Sequence, residues 1–330
     1  MATEATATPA TRLRVAAFGS PAFAIPSLER LHAEHELLLI VTQPDKPAGR
    51  GMTDRAPEAA VWAAERGLPL AQPANLKRDE ALLERLQRLD LDVAVTAAYG
   101  KLLPESLLRI PRHGFLNVHA SLLPKYRGAA PVQWALINGE RETGVSIMQT
   151  EAGLDTGPVR HVLRTTISEG ENAEVLMARL AELGAQALSQ ALARLARGAL
   201  PSHPQDHAAA THAPRLSRED GRIRWVESAE ALVSRHRGVT PWPGSWFERQ
   251  GPKGREPVKV HALSPAASRA PGGPEGAPPG TVTAIDERGV EVATGEGSVV
   301  LEVLQSPGRP RQHAAAWARG SRLAVGERCG

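Results

Sequence analysis

The stretch Phe115-Leu116-Asn117-Val118-His119-Ala120-Ser121-Leu122-Leu123-Pro124 admits few local folds. Phe115, Leu116 and Val118 make a short apolar run that reads as a buried strand. Ser121 to Pro124 reads as a turn that cannot extend it, because Pro124 lacks an amide donor. Asn117 and His119 therefore stand where a strand is ending. Residues two apart share one side of a strand, so an amide and an imidazole can face one small volume. A neutral donor beside a titratable donor is what an oxygen gaining negative charge in acyl transfer requires. Satisfied polar residues at strand ends are also common, so the pair alone leaves a purely structural role open.

The same grammar recurs along the first part of the chain. Leu13 to Phe18 is an apolar run closed by Gly19-Ser20-Pro21. Leu37 to Thr42, Val93 and Val95 leading to Tyr99-Gly100, and Val145 to Met148 follow it. Helical stripes lie between or after them: Ile25, Leu28 and Leu31, then Glu58 to Arg66 stopped by Gly67. Asn75 to Asp90 follows, then a helix opened by Pro131, and a long one capped by Asn172 that reaches about Arg197. Strands alternating with helices predict an α/β, Rossmann-like domain. Its strand ends at Gly19, Tyr99, Asn117 and Gln149 are expected to gather at one edge, where open α/β sheets bind ligands. A dinucleotide is disfavoured there, because Gly19 has no Gly-x-x-Gly continuation and Pro21 and Phe23 fill the approach of a pyrophosphate. Gly153 and Gly157 flank Asp155 in a tight loop that can deliver one carboxylate, and such a carboxylate near His119 would favour and orient the imidazolium.

The remaining segments read differently. Gln43 to Pro57 lacks a periodic apolar face and reads as a long exposed loop carrying Lys46, Arg50 and Arg55. Ala199 to Ala213 reads as a linker, in which His203, His207 and His212 are solvated rather than metal ligands, having no thiolate company and only Asp206 nearby. From Ile223 onward short strands punctuated by Gly predict a small β-barrel with one helix, Ala229 to His236, and a disordered loop from Ser264 to Pro279. A chain of 330 residues that is 42% hydrophobic supports two cores. The formal net charge of +3 is compatible with a polyanionic partner but does not establish one. The lone Cys329 excludes an intrachain disulfide and a zinc site built on paired thiolates, and fits a reducing compartment. Met1 to Thr11 has no cationic start followed by an apolar stretch, and Leu37 to Val41 is far short of the roughly 20 residues that span a bilayer. A cytoplasmic monomer with no metal and no membrane segment is expected.

Several separated motifs, in one order, carry a resemblance. Phe18-Gly19-Ser20-Pro21-Ala22-Phe23-Ala24-Ile25-Pro26-Ser27-Leu28 and Gln43-Pro44-Asp45-Lys46-Pro47-Ala48-Gly49-Arg50-Gly51 come first. Ala98-Tyr99-Gly100-Lys101-Leu102-Leu103-Pro104, the Asn117-x-His119 stretch, and Gly153-Leu154-Asp155-Thr156-Gly157 follow. Leu216-Ser217-Arg218-Glu219-Asp220-Gly221-Arg222-Ile223 and Pro241-Trp242-Pro243-Gly244 close the series. From Val15 to about Leu304 the chain resembles the formyltransferases that use formyltetrahydrofolate, in the branch whose acceptor is charged initiator tRNA. The resemblance implies a tail at 1–11, a Rossmann-like formyltransferase domain at 12–198, a linker at 199–222 and an OB-like tRNA-binding domain at 223–330. It implies Asn117, His119 and Asp155 as the catalytic trio. Ser121, Leu122, Leu123, Pro124, Tyr99 and Gly100 would line the site for 10-formyltetrahydrofolate. Lys46, Arg50 and Arg55 would reach the acceptor arm of initiator methionyl-tRNA, and Arg215, Arg218, Arg222, Arg224, Arg235, Arg237, Lys253, Arg255 and Lys259 could form a further tRNA-facing surface. Formylation of a small nucleotide-linked amine, release of formate by hydrolysis, and a non-catalytic tRNA-binding module stay open as alternatives.

Overall fold

A computed structural model describes residues 12–48, 53–251, 254–266 and 276–330. The expectations for Met1 to Thr11, Arg50, Lys253 and most of the Pro/Gly-rich piece after Ser264 lie outside the described residues. The chain separates into two compact units. One holds Met1–Pro131, Glu142–Thr166 and Met177–Pro214, and the other Val132–Arg141, Ile167–Leu176 and Arg215–Gly330.

The first unit is built on a seven-stranded sheet in the order Val159–Thr166, Glu142–Gln149, Phe115–His119, Val93–Ala97, Arg14–Gly19, Glu36–Val41, Leu70–Ala71. The last five of these run parallel, and the first two are antiparallel to their neighbours. The central strands are apolar on both faces, as strands covered by helices on each side must be. On one face Phe18 packs against the tilted ring of Phe115 and makes a T-shaped contact with Tyr99, with centroids 5.2 Å and 5.4 Å away. Leu82 and Leu86 of the helix Glu80–Arg88 join this cluster. That helix is shorter than its apolar stripe predicts, because the Asp79 side chain caps it by accepting from the Leu82 amide. The helix Ala173–Leu195 meets the sheet at Gly184, where a Cβ would lie 2.7 Å from a methyl of Val118. The strand bearing Asn117 and His119 is thus pressed between two helical layers.

The antiparallel turn of Glu142–Gln149 corrects one expectation. Gln149 pairs with Leu116, and the Thr150 amide donates to the Phe115 carbonyl, so this strand ends opposite the start of Phe115–His119 and not beside His119. Strand ends at Gly19, Tyr99 and Asn117 share an edge; Gln149 does not, and the loop that follows it carries Asp155 back along the sheet. The half-buried edge strand Val159–Thr166 escaped the reading because Arg160, His161 and Arg164 interrupt its apolar pattern. Lys46–Ala48 and Thr53–Arg55 form a small antiparallel hairpin within what reads as loop.

In the second unit the strands Ser245–Gly251, Gly254–Pro265, Ser298–Gln305, Gly289–Ala293 and Val282–Asp286 form one antiparallel path, and Gln312–His313 adds to Ser298–Gln305. Among the described residues no pairing joins the first strand of the path to the last, so the expected barrel is an antiparallel sheet without closure. Its core places Phe247 between Trp225 and Trp317, with centroids 5.8 Å and 6.5 Å away. Trp317 comes from the helix Ala314–Ser321, which draws the C-terminal segment into the core, and its indole donates to the Ser306 hydroxyl at 2.9 Å. Cys329 is buried there, and burial pushes its thiol up to about 12. No helix among the described residues is long and apolar enough to cross a membrane.

Two outcomes follow from this packing. Gly184→Val must move either the long helix or Val118, and is expected to cost about 1–3 kcal/mol of stability and to lower activity with it; equal melting temperatures for variant and parent would contradict the close approach. His236, beside the Ser245 hydroxyl at 2.9 Å, has its pKa lowered to about 4, first by burial and then by His261, against the opposing pull of Glu302. The unfolded chain therefore takes up this proton near 6.5 and the folded chain only near 4, so stability falls as pH drops through that window. Denaturant titrations at a series of pH values should show a flatter acid limb for His236→Gln.

Candidate active site

The parallel pairing of Phe115–His119 with Val93–Ala97 sets Thr96 beside Asn117. The Thr96 hydroxyl donates to Asn117 Oδ1 at 2.8 Å. With its oxygen so engaged, the Asn117 amide turns Nδ2 away, and that nitrogen lies 3.5 Å from Asp155 Oδ1. His119 is almost wholly buried. Its Nε2 lies 3.0 Å from the Tyr126 carbonyl oxygen, and because a carbonyl can only accept, Nε2 carries the hydrogen. The other nitrogen, Nδ1, faces Asp155 Oδ2 at 3.7 Å, an ion-pair distance longer than a hydrogen bond. Asp155 Oδ2 in turn accepts from the Gly128 amide at 2.9 Å. Three groups predicted to converge do so, and two backbone groups of the segment Tyr126–Gly128 hold them.

This arrangement is locally strained. Asp155, Tyr126 and Ala98 have φ of 51°, 62° and 48°. A left-handed backbone at a residue with a Cβ costs on the order of 1–3 kcal/mol and persists where surrounding contacts over-determine it. At Gly157 the chain passes so close that a Cβ would stand 2.0 Å from the Gln149 carbonyl oxygen. Glycine is required there by close approach, and its neighbour Gln149 is itself tied through Nε2 to the carbonyls of His113 and Phe115, at 3.1 Å each. Asp155 is thus fixed from the backbone as well as from its side chain.

The other predicted residues fall in distinct places. Ser121 is fully buried, donating to the Lys125 carbonyl at 2.6 Å, while its own carbonyl accepts from Ser146. Leu122, Leu123 and Pro124 are half-buried. Tyr99 is buried against Phe18; burial raises its phenol to about 12, and the hydroxyl has no partner among the described residues. Gly100 is exposed, and the carbonyl of the preceding Tyr99 accepts from Gln43 Nε2 at 2.7 Å. Lys46 is exposed and bonds Gln43 Oε1, and Arg55 pairs with Glu58 at 3.4 Å, while Arg50 lies outside the described residues. Of the basic residues proposed for a wider surface, several have structural partners. Arg235 grips Glu227 at 2.9 Å and 3.1 Å, and Arg237 donates to the carbonyls of Glu171 and Ser168. Arg218 and Arg222 lie over the Trp246 ring, with Arg222 also paired to Glu248. Arg215, Arg224 and Lys259 are exposed. His203 engages its neighbours through its backbone, His207 Nδ1 lies 3.1 Å from Arg127, and among the described residues no group of three or more His, Cys, Asp or Glu could hold a metal ion.

Sequence reasoning missed Thr96, the Tyr126 carbonyl and the Gly128 amide. Thr96 carries a weak signal, a polar residue closing an apolar strand. The two backbone groups carry none, since every residue offers them.

Residues 12–192 match the Formyl transferase family, and residues 215–322 match its C-terminal domain family. The methionyl-tRNA formyltransferase of Thermus thermophilus is 49% identical over 318 residues, covering 96% of this chain and 99% of that protein. That of Deinococcus radiodurans is 45% identical, covering 96% and 95%. Among solved structures, an N-formyltransferase from Helicobacter canadensis in complex with folinic acid and dTDP-3-aminofucose has a TM-score of 0.66 at 14% identity, covering 89% of this chain and 99% of that one, which is a likeness of fold. The chain therefore belongs to the formyl transferase family, in the branch of the methionyl-tRNA formyltransferases.

Proposed function

We propose that this chain transfers the formyl group of 10-formyltetrahydrofolate to the free amino group of methionyl-initiator tRNA, in the cytoplasm and as a monomer, for translation initiation. The observation that carries the chemistry is the meeting of Asn117, His119 and Asp155 at one point, with Asp155 Oδ2 3.7 Å from the imidazole and Asp155 Oδ1 3.5 Å from the Asn117 amide. The near full-length likeness to relatives named methionyl-tRNA formyltransferase supports the acceptor, and the family match supports a folate-derived donor.

In this reading the amine attacks the formyl carbon, and the former carbonyl oxygen gains the negative charge. Asn117 Nδ2 donates to it. His119 can donate only through Nδ1, because its Nε2 hydrogen is engaged by the Tyr126 carbonyl, so the acting ring carries both protons. Asp155, facing Nδ1, balances that charge. Its Oδ1 is the less occupied oxygen and is suited to pass a proton, through a water, from the attacking nitrogen to the departing folate nitrogen. The oxyanion then re-forms the carbonyl as the carbon–nitrogen bond to the protonated folate nitrogen breaks, with no covalent enzyme intermediate. Leu122, Leu123 and Pro124, the backbone of Ser121, and the turn at Tyr99 and Gly100 are assigned to the donor's site. Lys46, Arg50 and Arg55 are assigned to the acceptor arm. We divide the chain into a tail at 1–11, a catalytic domain at 12–198, a linker at 199–222 and an OB-like tRNA-binding domain at 223–330, the last supported by its antiparallel sheet and by the exposed Arg224 and Lys259.

Incubation of the purified protein with the formyl donor and charged initiator tRNA should release formylmethionine. Turnover of an aminosugar nucleotide, or formate released without tRNA, would replace this reading. Asn117→Ala and Asp155→Ala are each expected to lower kcat on the order of 100-fold or more while leaving the melting temperature near that of the parent, and near-normal turnover in either removes the assigned roles. Raising salt from about 50 mM to about 200 mM should raise the KM for charged tRNA steeply and that for the folate donor little, since counterions are released only where cations meet phosphates. Equal salt dependence for the two substrates would remove the role given to the basic residues.

A further inference from the structure

The segment from Leu200 to Ala213 carries no periodic pattern, yet it is bonded to the first unit at every few residues. Arg160 donates to the carbonyls of Leu200 and Pro201, and His203 exchanges backbone hydrogen bonds with Val159. The Thr211 hydroxyl accepts from the Tyr126 amide at 2.9 Å, and His212–Ala213 pairs in parallel with Arg127–Gly128. The strap therefore runs alongside both the loop that holds Asp155 and the turn that holds His119.

Its one buried polar side chain is Gln205. Gln205 Nε2 donates to the carbonyls of Asp155 at 2.9 Å and Gly157 at 2.7 Å. Gln205 Oε1 accepts from Arg127 Nε at 3.1 Å and Nη2 at 2.8 Å. Both amide hydrogens and both lone pairs are used, and a flipped amide would set oxygen against two carbonyls and nitrogen against a guanidinium, so the orientation is determined by the neighbours. Arg127 is likewise buried, and it stands between Tyr126, whose carbonyl receives the His119 Nε2 hydrogen, and Gly128, whose amide reaches Asp155. One side chain thus ties the backbone of the strained Asp155 turn to the segment that orients His119.

We infer that Gln205 is a positioning residue for the transfer step, setting the separation of Asp155 from His119 through the Asp155 and Gly157 carbonyls and through Arg127. The inference rests on the roles proposed for Asp155 and His119. A strap residue that only stabilised the fold would alter melting temperature, or both substrates' KM; one that sets the geometry of the trio alters kcat.

Gln205→Glu keeps the length and the Arg127 contact but presents oxygen to both carbonyls, and Gln205→Met keeps the volume and removes every polar contact. Each is expected to lower kcat about 10- to 100-fold with KM for both substrates within about 3-fold of the parent, as second-layer substitutions typically do. Gln205→Met supplies the answer if Gln205→Glu does not fold. Ser202→Ala, exposed on the same strap, should behave as the parent. If Gln205 acts through Asp155, either Gln205 variant should have little further effect in an Asp155→Asn background. Folded Gln205 variants with the parent kcat, a loss confined to KM, or the same fold-loss in the Asp155→Asn background would each overturn the inference. Asp155→Asn with full activity would instead overturn the role of Asp155 itself, whereas a crippled Asp155→Asn beside fully active Gln205 variants would overturn the role of Gln205 alone.

Discussion

A nearly buried carboxylate must have its oxygens satisfied, and around Asp155 that requirement draws distant stretches of chain together. Asn117 comes from a sheet strand and the Gly128 amide from the turn after it, while Gln205, from the strap near the end of the unit, holds the Asp155 backbone carbonyl. Left without the two donors, the carboxylate would face the full cost of desolvation. With them, its oxygens are divided between tasks: one is occupied by a backbone donor and faces the imidazole, and the other remains the more available for a proton. The chemistry assigned to the site grows out of this division.

The imidazole shows the same logic from the other side. A single carbonyl, presented by a left-handed Tyr126, determines which ring nitrogen carries hydrogen and which one faces the acid. The strain at Asp155, Tyr126 and Ala98 lies around the proposed site, as expected when precise placement is maintained by contacts rather than by local preference. Gly184 and Gly157 contribute by being small. One lets the long helix press on the strand Phe115–His119, and the other lets the Asp155 loop pass against Gln149. In the second unit the organising contact is apolar: Phe247 held between Trp225 and Trp317, from opposite ends of the segment Arg215–Gly330.

How much of this was legible depended on what kind of interaction decides each feature. The strand at Phe115–His119 and the helix capped by Asn172 were readable because apolar periodicity reports which face is buried. The Asn172 side chain accepts from the Val175 amide as its cap position predicts. The edge strand Val159–Thr166 was not readable, because an edge strand buries too little to show a pattern. The fate of the arginines was not readable either: Arg235 and Arg237 have the same composition signal as Arg224, but their partners, Glu227 and the carbonyls of Ser168 and Glu171, lie elsewhere in the chain.

By itself the sequence determined the residue types of the site, the alternation of strand and helix that builds the first sheet, and the change to short strands after Ile223. Only the tertiary structure decided that Glu142–Gln149 runs antiparallel, so that Asp155 returns to the site along the sheet rather than from a shared edge. Only it decided that the partners of His119 and Asp155 are a carbonyl, an amide and the side chain of Gln205. The reason is physical. Burial periodicity is written in side chains and survives in a linear text, whereas backbone donors and acceptors are the same at nearly every residue, so their choice of partner is settled when the chain closes on itself.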